Sequence, residues 1–216
     1  MLECIVHQPK KAVSGTVIWL HGLGASGDDF VPVRPHLNLP HFRFVFPHAP
    51  VRPVTLNRGM RMRAWYDIHY LEPGPDRESL SDAVDSERQI VELIDRELSQ
   101  GIPSNRIVLA GFSQGSAMAL HTGHRYPKPL MGIIALSGYV VGEDTFGVQG
   151  HVANAQTPFF MAHGSQDMVV PLSRGERAHE LVSEHHPNTQ WQTYTMGHEV
   201  CMPEIHAIRD WLQALV

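Results

Sequence analysis

The chain reads as an α/β protein: a mostly parallel sheet covered by helices on both faces. Two observations predict this. Short runs that are apolar at every position alternate with longer segments whose apolar residues recur at helical spacing. In addition, Gly111-Phe112-Ser113-Gln114-Gly115 stands directly after one such run and directly before a helix-like segment. Strand, sharp turn and helix in that order are what an exposed nucleophilic serine needs, and glycines on either side let the turn be that tight. With 216 residues, 43% of them hydrophobic, the chain can bury one substantial core and is short for two, so a single domain over residues 1–216 is expected.

The elements follow in order. Residues 16–20 are a continuous apolar run leading into His21-Gly22-Leu23-Gly24, a buried strand entering a glycine-rich turn. Residues 42–46 form a second strand, stopped by Pro47. Between Ser81 and Ser99 the residues Ala83, Val84, Ile90, Val91, Ile94 and Leu98 recur at helical spacing. Ser79 or Ser81 caps that helix, and Gly101 with Pro103 ends it. Residues 107–110 are the strand before Ser113, a helix follows, and residues 131–136 and 158–162 are two more apolar strands. A helix over about 173–186, a strand of alternating polarity at 190–194 and a final helix from Pro203 complete the series. Two stretches break it. Residues 51–75, rich in Pro and Arg, are expected as a flap beside the active site, and residues 138–156, rich in Gly, as a plain connection.

Composition excludes several function classes. Charged residues are 18% of the chain and the formal net charge is −5, so no general field draws in nucleic acid or an anionic membrane, and a small-molecule or acylated substrate fits better. Cys4 and Cys201 lack any CxxC spacing, which argues against a disulfide framework and a zinc site. The first residues lack the basic start and apolar core of a signal peptide, and no stretch approaches the length of a membrane span, so a cytoplasmic location is expected. Of the 15 histidines, His179, His185 and His186 come nearest to a metal cluster, but no acidic or cysteine partner completes a ligand set.

Ser113 needs a base, and the base needs a carboxylate to hold its tautomer. On a sheet of this type the order along the chain is Ser, acid, His. Asp144 lies in the glycine-rich connection, whereas Asp167 follows the strand at 158–162 and is the better acid. His179, His185, His186 and His206 fall on helices or their ends, and His198 alone sits in a loop directly after a strand. Ser113, Asp167 and His198 then leave the same edge of the sheet, the edge where open parallel sheets bind ligands. The tetrahedral intermediate needs backbone donors, expected from the amides of Gln114 and Leu23. His21 precedes Ser113, breaks the order, and is expected to be structural. No metal or organic cofactor is needed, because the attacking groups are all side chains.

Taken together, these residues resemble the carboxylesterase and phospholipase family that includes acyl-protein thioesterases and small bacterial carboxylesterases. The resemblance rests on residues 17–24, on Phe46-Pro47-His48-Ala49-Pro50, on residues 62–67 with Trp65-Tyr66-Asp67, and on residues 110–115. It continues through Leu136-Ser137-Gly138-Tyr139, His163-Gly164 with Asp167, and Gly197-His198, in family order over nearly the whole chain. It implies an α/β-hydrolase without a large cap domain that cleaves carboxylic esters of short to medium acyl chains. The alternatives are an acyl-protein thioesterase or lysophospholipase and, more remotely, a non-catalytic ligand-binding relative. It also puts Trp65 beside the substrate pocket, plain packing being the alternative, and admits a homodimer, as known among relatives. Ser116 departs from the second glycine that many relatives carry, and the segment 68–78 matches no version that assigns acyl length. Arg58, Arg61 and Arg63 read as a solvated strand face with one arginine in a structural pair, or as contacts to an anionic headgroup or protein substrate. Cys201 is close to His198 in sequence and reads either as a neighbour of the pocket or as a small buried apolar residue.

Overall fold

The computed structural model describes residues 1–10, 12–71, 74 and 76–216. Its strands are β1 (Cys4–His7), β2 (Gly15–Leu20), β3 (Phe42–Pro47), β4 (Val51–Val54), β5 (Met60–Arg63), β6 (Ile107–Phe112), β7 (Gly132–Leu136), β8 (Phe159–Gly164) and β9 (Thr189–Tyr194). Seven of them form one sheet in the order β1-β3-β2-β6-β7-β8-β9, with β4 and β5 paired as a separate hairpin. β1 runs antiparallel to β3, and every other pairing in the large sheet is parallel. The helices are α1 (Arg34–Leu37), α2 (Leu80–Ser99), α3 (Gln114–Arg125), α4 (Glu143–Gln149), α5 (Leu172–His185) and α6 (Met202–Leu215).

The central strands are apolar at every position because both faces are covered. Successive side chains point to opposite faces of a strand, so Ile18, Leu20, Leu109, Ile133 and Met161 pack with residues of α2, α3, α4 and α5. Their neighbours Val17, Trp19, Val108, Ile134 and Phe160 pack on the other side with Leu37 of α1 and Ile205, Ile208, Trp211 and Leu212 of α6. This is the α/β-hydrolase architecture, a helix layer on each face of a mostly parallel sheet. Among the described residues, the only other sheet is the two-stranded hairpin.

Local chemistry sets the helix ends. Ser79 caps α2, its Oγ accepting from the Asp82 amide at 3.3 Å, while Ser81 lies inside the helix. Beyond the other end Gly101 takes φ +87°, a left-handed position at which only glycine is unstrained. The buried end of α2 is tied to the sheet by charge. Glu97 Oε2 accepts from Arg43 at 2.6 Å and from the Thr16 hydroxyl at 2.7 Å. Among the described residues, no helix is long and apolar enough to cross a membrane.

Five of these strands and helices appear where the sequence predicts none. β1 is a short edge strand, α1 falls between the first two predicted strands, β4 and β5 fall inside the predicted flap, and α4 falls inside the predicted plain connection. Each is short, and β4 contains Pro53 while α4 contains Gly147, so none carries a periodic signal. Within the predicted flap, Glu72, Pro73 and Pro75 lie outside the described residues.

Candidate active site

Ser113 stands between β6 and α3 at φ 55° and ψ −120°, a conformation that a non-glycine residue adopts only under strain. The flanking glycines are there for space. A Cβ on Gly111 would fall 2.1 Å from the Gly115 carbonyl oxygen, and one on Gly115 would fall 2.3 Å from that of Leu20. The elbow is pinned sideways as well, the Ser113 amide donating to Leu136 O of β7 at 2.8 Å.

Parallel strands bring their carboxyl ends to one edge, and the loops leaving β6, β8 and β9 meet there. The Ser113 hydroxyl lies 2.9 Å from His198 Nε2, and His198 Nδ1 lies 2.6 Å from Asp167 Oδ2. An ionised carboxylate only accepts, so Nδ1 carries the ring proton and Nε2 is left to accept from the serine. The Asp167 side chain has no exposed surface. Its Oδ1 accepts from the amides of Val169 at 2.9 Å and Val170 at 2.8 Å, which holds the carboxylate toward His198. Phe112 packs against the His198 ring, centroids 4.8 Å apart.

Gln114 and Leu23 both line the cleft beside Ser113. Gln114 opens α3, so its amide has no helical carbonyl four residues back to bond. The segment Trp65-Tyr66 locks the two loops together. Gln114 Oε1 accepts from the Trp65 amide and its Nε2 donates to Tyr66 O, both at 2.8 Å, while Trp65 Nε1 donates to His21 O at 2.9 Å. Gly24 N donates to Arg63 O at 2.8 Å. Trp65 therefore stands one layer behind the cleft, fully buried and absent from its wall. Expected beside the substrate pocket, with plain packing as the alternative, it uses its single indole N–H and its backbone amide to tie the loop after β2 to Gln114.

His21 is buried, with Nδ1 donating to Gly22 O at 2.7 Å and Nε2 accepting from the Ala49 amide at 3.0 Å. Burial pushes its pKa below the usual range, and the neutral ring serves as a strut. His163, part of the family resemblance in the sequence but given no role there, donates from Nε2 to Val170 O at 2.8 Å and lies 3.4 Å from Asp167 Oδ2. Burial also lowers its pKa, so it braces the acid's loop without carrying charge. Asp144 begins α4, away from His198, and lines a second cavity. Arg61 and Arg63 lie on β5 and donate to Val51 O and Ala49 O, both at 3.1 Å. The ion pair of this hairpin belongs instead to Arg52, 2.8 Å from Asp82. Cys201 precedes α6, half-buried and free, and is not part of the cleft wall.

The histidines weighed as a metal cluster separate. His186 faces His124 at 2.7 Å and His179 stacks on Trp191 with ring centroids 5.2 Å apart. Among the described residues, no group of three or more His, Cys, Asp or Glu converges to hold an ion.

The cleft around Ser113 has a volume of about 490 Å³. Leu23, Leu56, Ile68, Phe112, Val169 and Val170 supply much of its wall, and Arg77, Tyr139 and Arg174 form a charged and aromatic stretch of it.

Comparison with known proteins agrees with this architecture. The model of the phospholipase/carboxylesterase family matches residues 2–216. Acyl-protein thioesterase 1 of Yarrowia lipolytica is 38% identical over 211 residues, covering 94% of this chain and 93% of that protein. Acyl-protein thioesterase 1 of Neurospora crassa is 39% identical over 210 residues, 92% of this chain and 86% of that protein. The crystal structure of Arabidopsis thaliana SOBER1 superposes with a TM-score of 0.87 at 29% identity, covering 94% of this chain and 99% of that one. The chain belongs to the phospholipase/carboxylesterase family and is a serine hydrolase of esters or thioesters.

Proposed function

We propose that the chain removes acyl groups held in thioester or ester linkage, in the manner of acyl-protein thioesterases, using Ser113, His198 and Asp167. The observation that carries this reading is the hydrogen-bonded series from Ser113 Oγ through His198 to Asp167 at the foot of an apolar cleft. Ser113 Oγ attacks the acyl carbonyl while His198 Nε2 takes its proton, and the carbonyl electron pair moves onto an oxygen that faces the amides of Leu23 and Gln114. The tetrahedral intermediate collapses, and His198 returns the proton to the departing thiol or alcohol. Water then repeats the path on the acyl-enzyme, releasing the acid and restoring Ser113. Asp167 keeps the ring oriented and offsets its positive charge.

The substrate class rests on the acyl-protein thioesterases among the relatives and on the apolar wall, which suits an alkyl chain. Hydrolysis of short-chain carboxylic esters is the second reading, favoured by Arg77 and Arg174 in that wall, where a long alkyl chain gains nothing. We place the activity in the cytoplasm, in keeping with two free cysteines.

The test is turnover of 4-nitrophenyl butyrate by the wild type and by Ser113→Ala, with an expected loss of about 10⁴-fold or more. Equal rates in the two proteins would remove Ser113 as the nucleophile. A series of thioesters from butyryl to palmitoyl then separates the two readings. A kcat/KM that rises with chain length supports the thioesterase, and one that peaks at the short end supports the carboxylesterase.

A further inference from the structure

Arg174 lies in the first turn of α5 and Arg77 shortly before α2, and both line the cleft that holds Ser113. Their guanidinium carbons stand 3.9 Å and 4.5 Å from the centroid of the Tyr139 ring. That ring is firmly set. Its hydroxyl accepts from Tyr66 at 2.8 Å, and the preceding Gly138 packs so close to the elbow that a Cβ there would fall 2.9 Å from Ser113 O. Tyr139 thus forms a fixed platform beside the nucleophile, with two cations over it.

The two cations differ in their partners. Arg77 is buried and its Nε donates to the Glu78 carboxylate. Arg174 has no carboxylate within ion-pair distance among the described residues, and its side chain meets no hydrogen-bond acceptor there. Its helical neighbour Arg177 takes the local acids, pairing with Glu143 at 3.5 Å and Glu180 at 3.4 Å. A guanidinium stacked on a ring uses its face and leaves its edge of N–H donors open. Arg174 lines a cleft with largely apolar walls, and an open edge of donors there matches the two oxygens of a carboxylate or a similar oxyanion. The acids of the cleft, Asp29 and Glu199, come from the segments after β2 and β9, so an anion is repelled by those walls and attracted by this one. Arg77 and Arg174 also line the second cavity, of about 610 Å³, whose wall carries Asp76, Glu78, Glu143 and Asp144, so an anion is favoured on the Ser113 side of the two arginines and not on that one.

We infer that Arg174, held on Tyr139, forms an anion subsite in the Ser113 cleft that selects substrates bearing an oxyanion in addition to the scissile ester or thioester. The inference rests on the reading of Ser113 as the nucleophile. The anionic group belongs either to the acyl chain or to the leaving group, and the subsite chemistry is the same for both.

The experiment compares kcat/KM within matched pairs of substrates. The mono-4-nitrophenyl ester of glutaric acid against 4-nitrophenyl pentanoate places the charge on the acyl side. S-butyryl thioglycolate against its methyl ester places it on the leaving group. The expected result in the full-length protein is a charged-to-neutral ratio that drops by about tenfold or more in Arg174→Met, the scale of one charge-assisted hydrogen-bonding group. Arg174→Lys, which keeps the charge but not the planar edge, recovers part of the ratio, and Arg177→Met leaves it unchanged. The pair in which the ratio collapses identifies the side of the substrate that carries the anion. Should Arg174→Met fail to fold, Arg174→Lys carries the comparison, with a ratio at least about threefold below the wild type expected.

A ratio equal in the wild type and Arg174→Met for both pairs overturns the subsite, even if the absolute rates fall together. An equal drop in Arg177→Met also overturns it, since that reports a general field rather than a site. If wild-type protein turns over the neutral esters but shows no arginine-dependent ratio, the subsite fails and the Ser113 reading stands. Turnover of none of the four substrates sinks the Ser113 reading, and the subsite with it.

Discussion

Asp167 serves three donors with two oxygens, and the division of labour predicts the effect of a single atom. Oδ1 takes the amides of Val169 and Val170, and Oδ2 takes His198 Nδ1. In Asp167→Asn the amide oxygen keeps the backbone donors, so the NH₂ group faces His198. The ring must then accept at Nδ1 and carry its proton on Nε2, where it can no longer take one from Ser113. We expect kcat to fall by about 10³–10⁴ with KM little changed, measured by steady-state kinetics. A loss below tenfold would take Asp167 out of the proposed mechanism. At this scale the candidate nucleophile, acid and base were legible in the sequence, because each ends a strand and chain order narrowed the choice. The place of Trp65 was not legible, because a motif marks a residue as used without saying whether it lines the cleft or braces the loops that do. Arg174 had no signal at all. An arginine on the first turn of a helix is ordinary until Tyr139, from a different loop, is set beneath it.

Helices and strands meet at the elbow with no space to spare, and two glycines of the site should respond very unequally to the same change. Gly115, in the first turn of α3, packs against the end of β2, and a Cβ there would strike backbone at 2.3 Å. Gly115→Ala is expected to cost about 3 kcal/mol or more, because neither element yields without moving Ser113. Gly197 precedes His198 yet has nothing within 4 Å of an added Cβ, so Gly197→Ala should change stability by less than about 0.5 kcal/mol. Urea unfolding midpoints of both variants test this, and equal shifts would refute the packing argument. The long apolar strands and α2 were readable because burial on one or two faces writes a period into the sequence. β1, the β4–β5 hairpin and α4 were not. Elements of four to seven residues are held by what they pack against rather than by their own pattern.

The molecule as a whole stores opposing titrations. At the end of the molecule where α3, α4 and α5 meet, His124 Nε2 donates to Phe146 O at 2.5 Å and His186 Nδ1 donates to Asn154 O at 3.1 Å. The two facing nitrogens then share a proton only by creating a buried charge, and burial pushes both pKa values down to about 4. On α6, behind the His198 loop, Glu204 is fully buried and neither carboxylate oxygen has a hydrogen-bond partner among the described residues. Burial raises it to about 8. The signs are opposite. Between about pH 4 and the usual histidine value the unfolded chain binds more protons at the two rings, so stability rises with pH. From the usual glutamate value up to about 8 the native state holds a proton that the unfolded chain has lost, so stability falls with pH. Below the usual histidine value these rising contributions, joined by His21 and His163, whose pKa values burial also lowers, outweigh the one falling one, which places maximum stability at about pH 6–7. Urea midpoints measured from pH 4 to pH 9 should trace that maximum, and Glu204→Gln should remove the decline on its alkaline side. A decline that survives in Glu204→Gln would assign it to another group.

Sequence alone determined the layered α/β architecture, the elbow at Ser113, and the strand ends from which an acid and a base emerge. These are properties of periodicity, glycine placement and chain order, which act locally and leave a local record. Tertiary structure alone decided which segment braces the loops of Leu23 and Gln114, that Trp65 stands behind the cleft, and that Arg174 lines it with no carboxylate partner among the described residues. Those facts depend on contacts between residues far apart in the chain, such as Trp65 with Gln114 and Arg174 with Tyr139. No period or motif encodes such a contact. It exists only once the sheet has brought the strand ends to one edge.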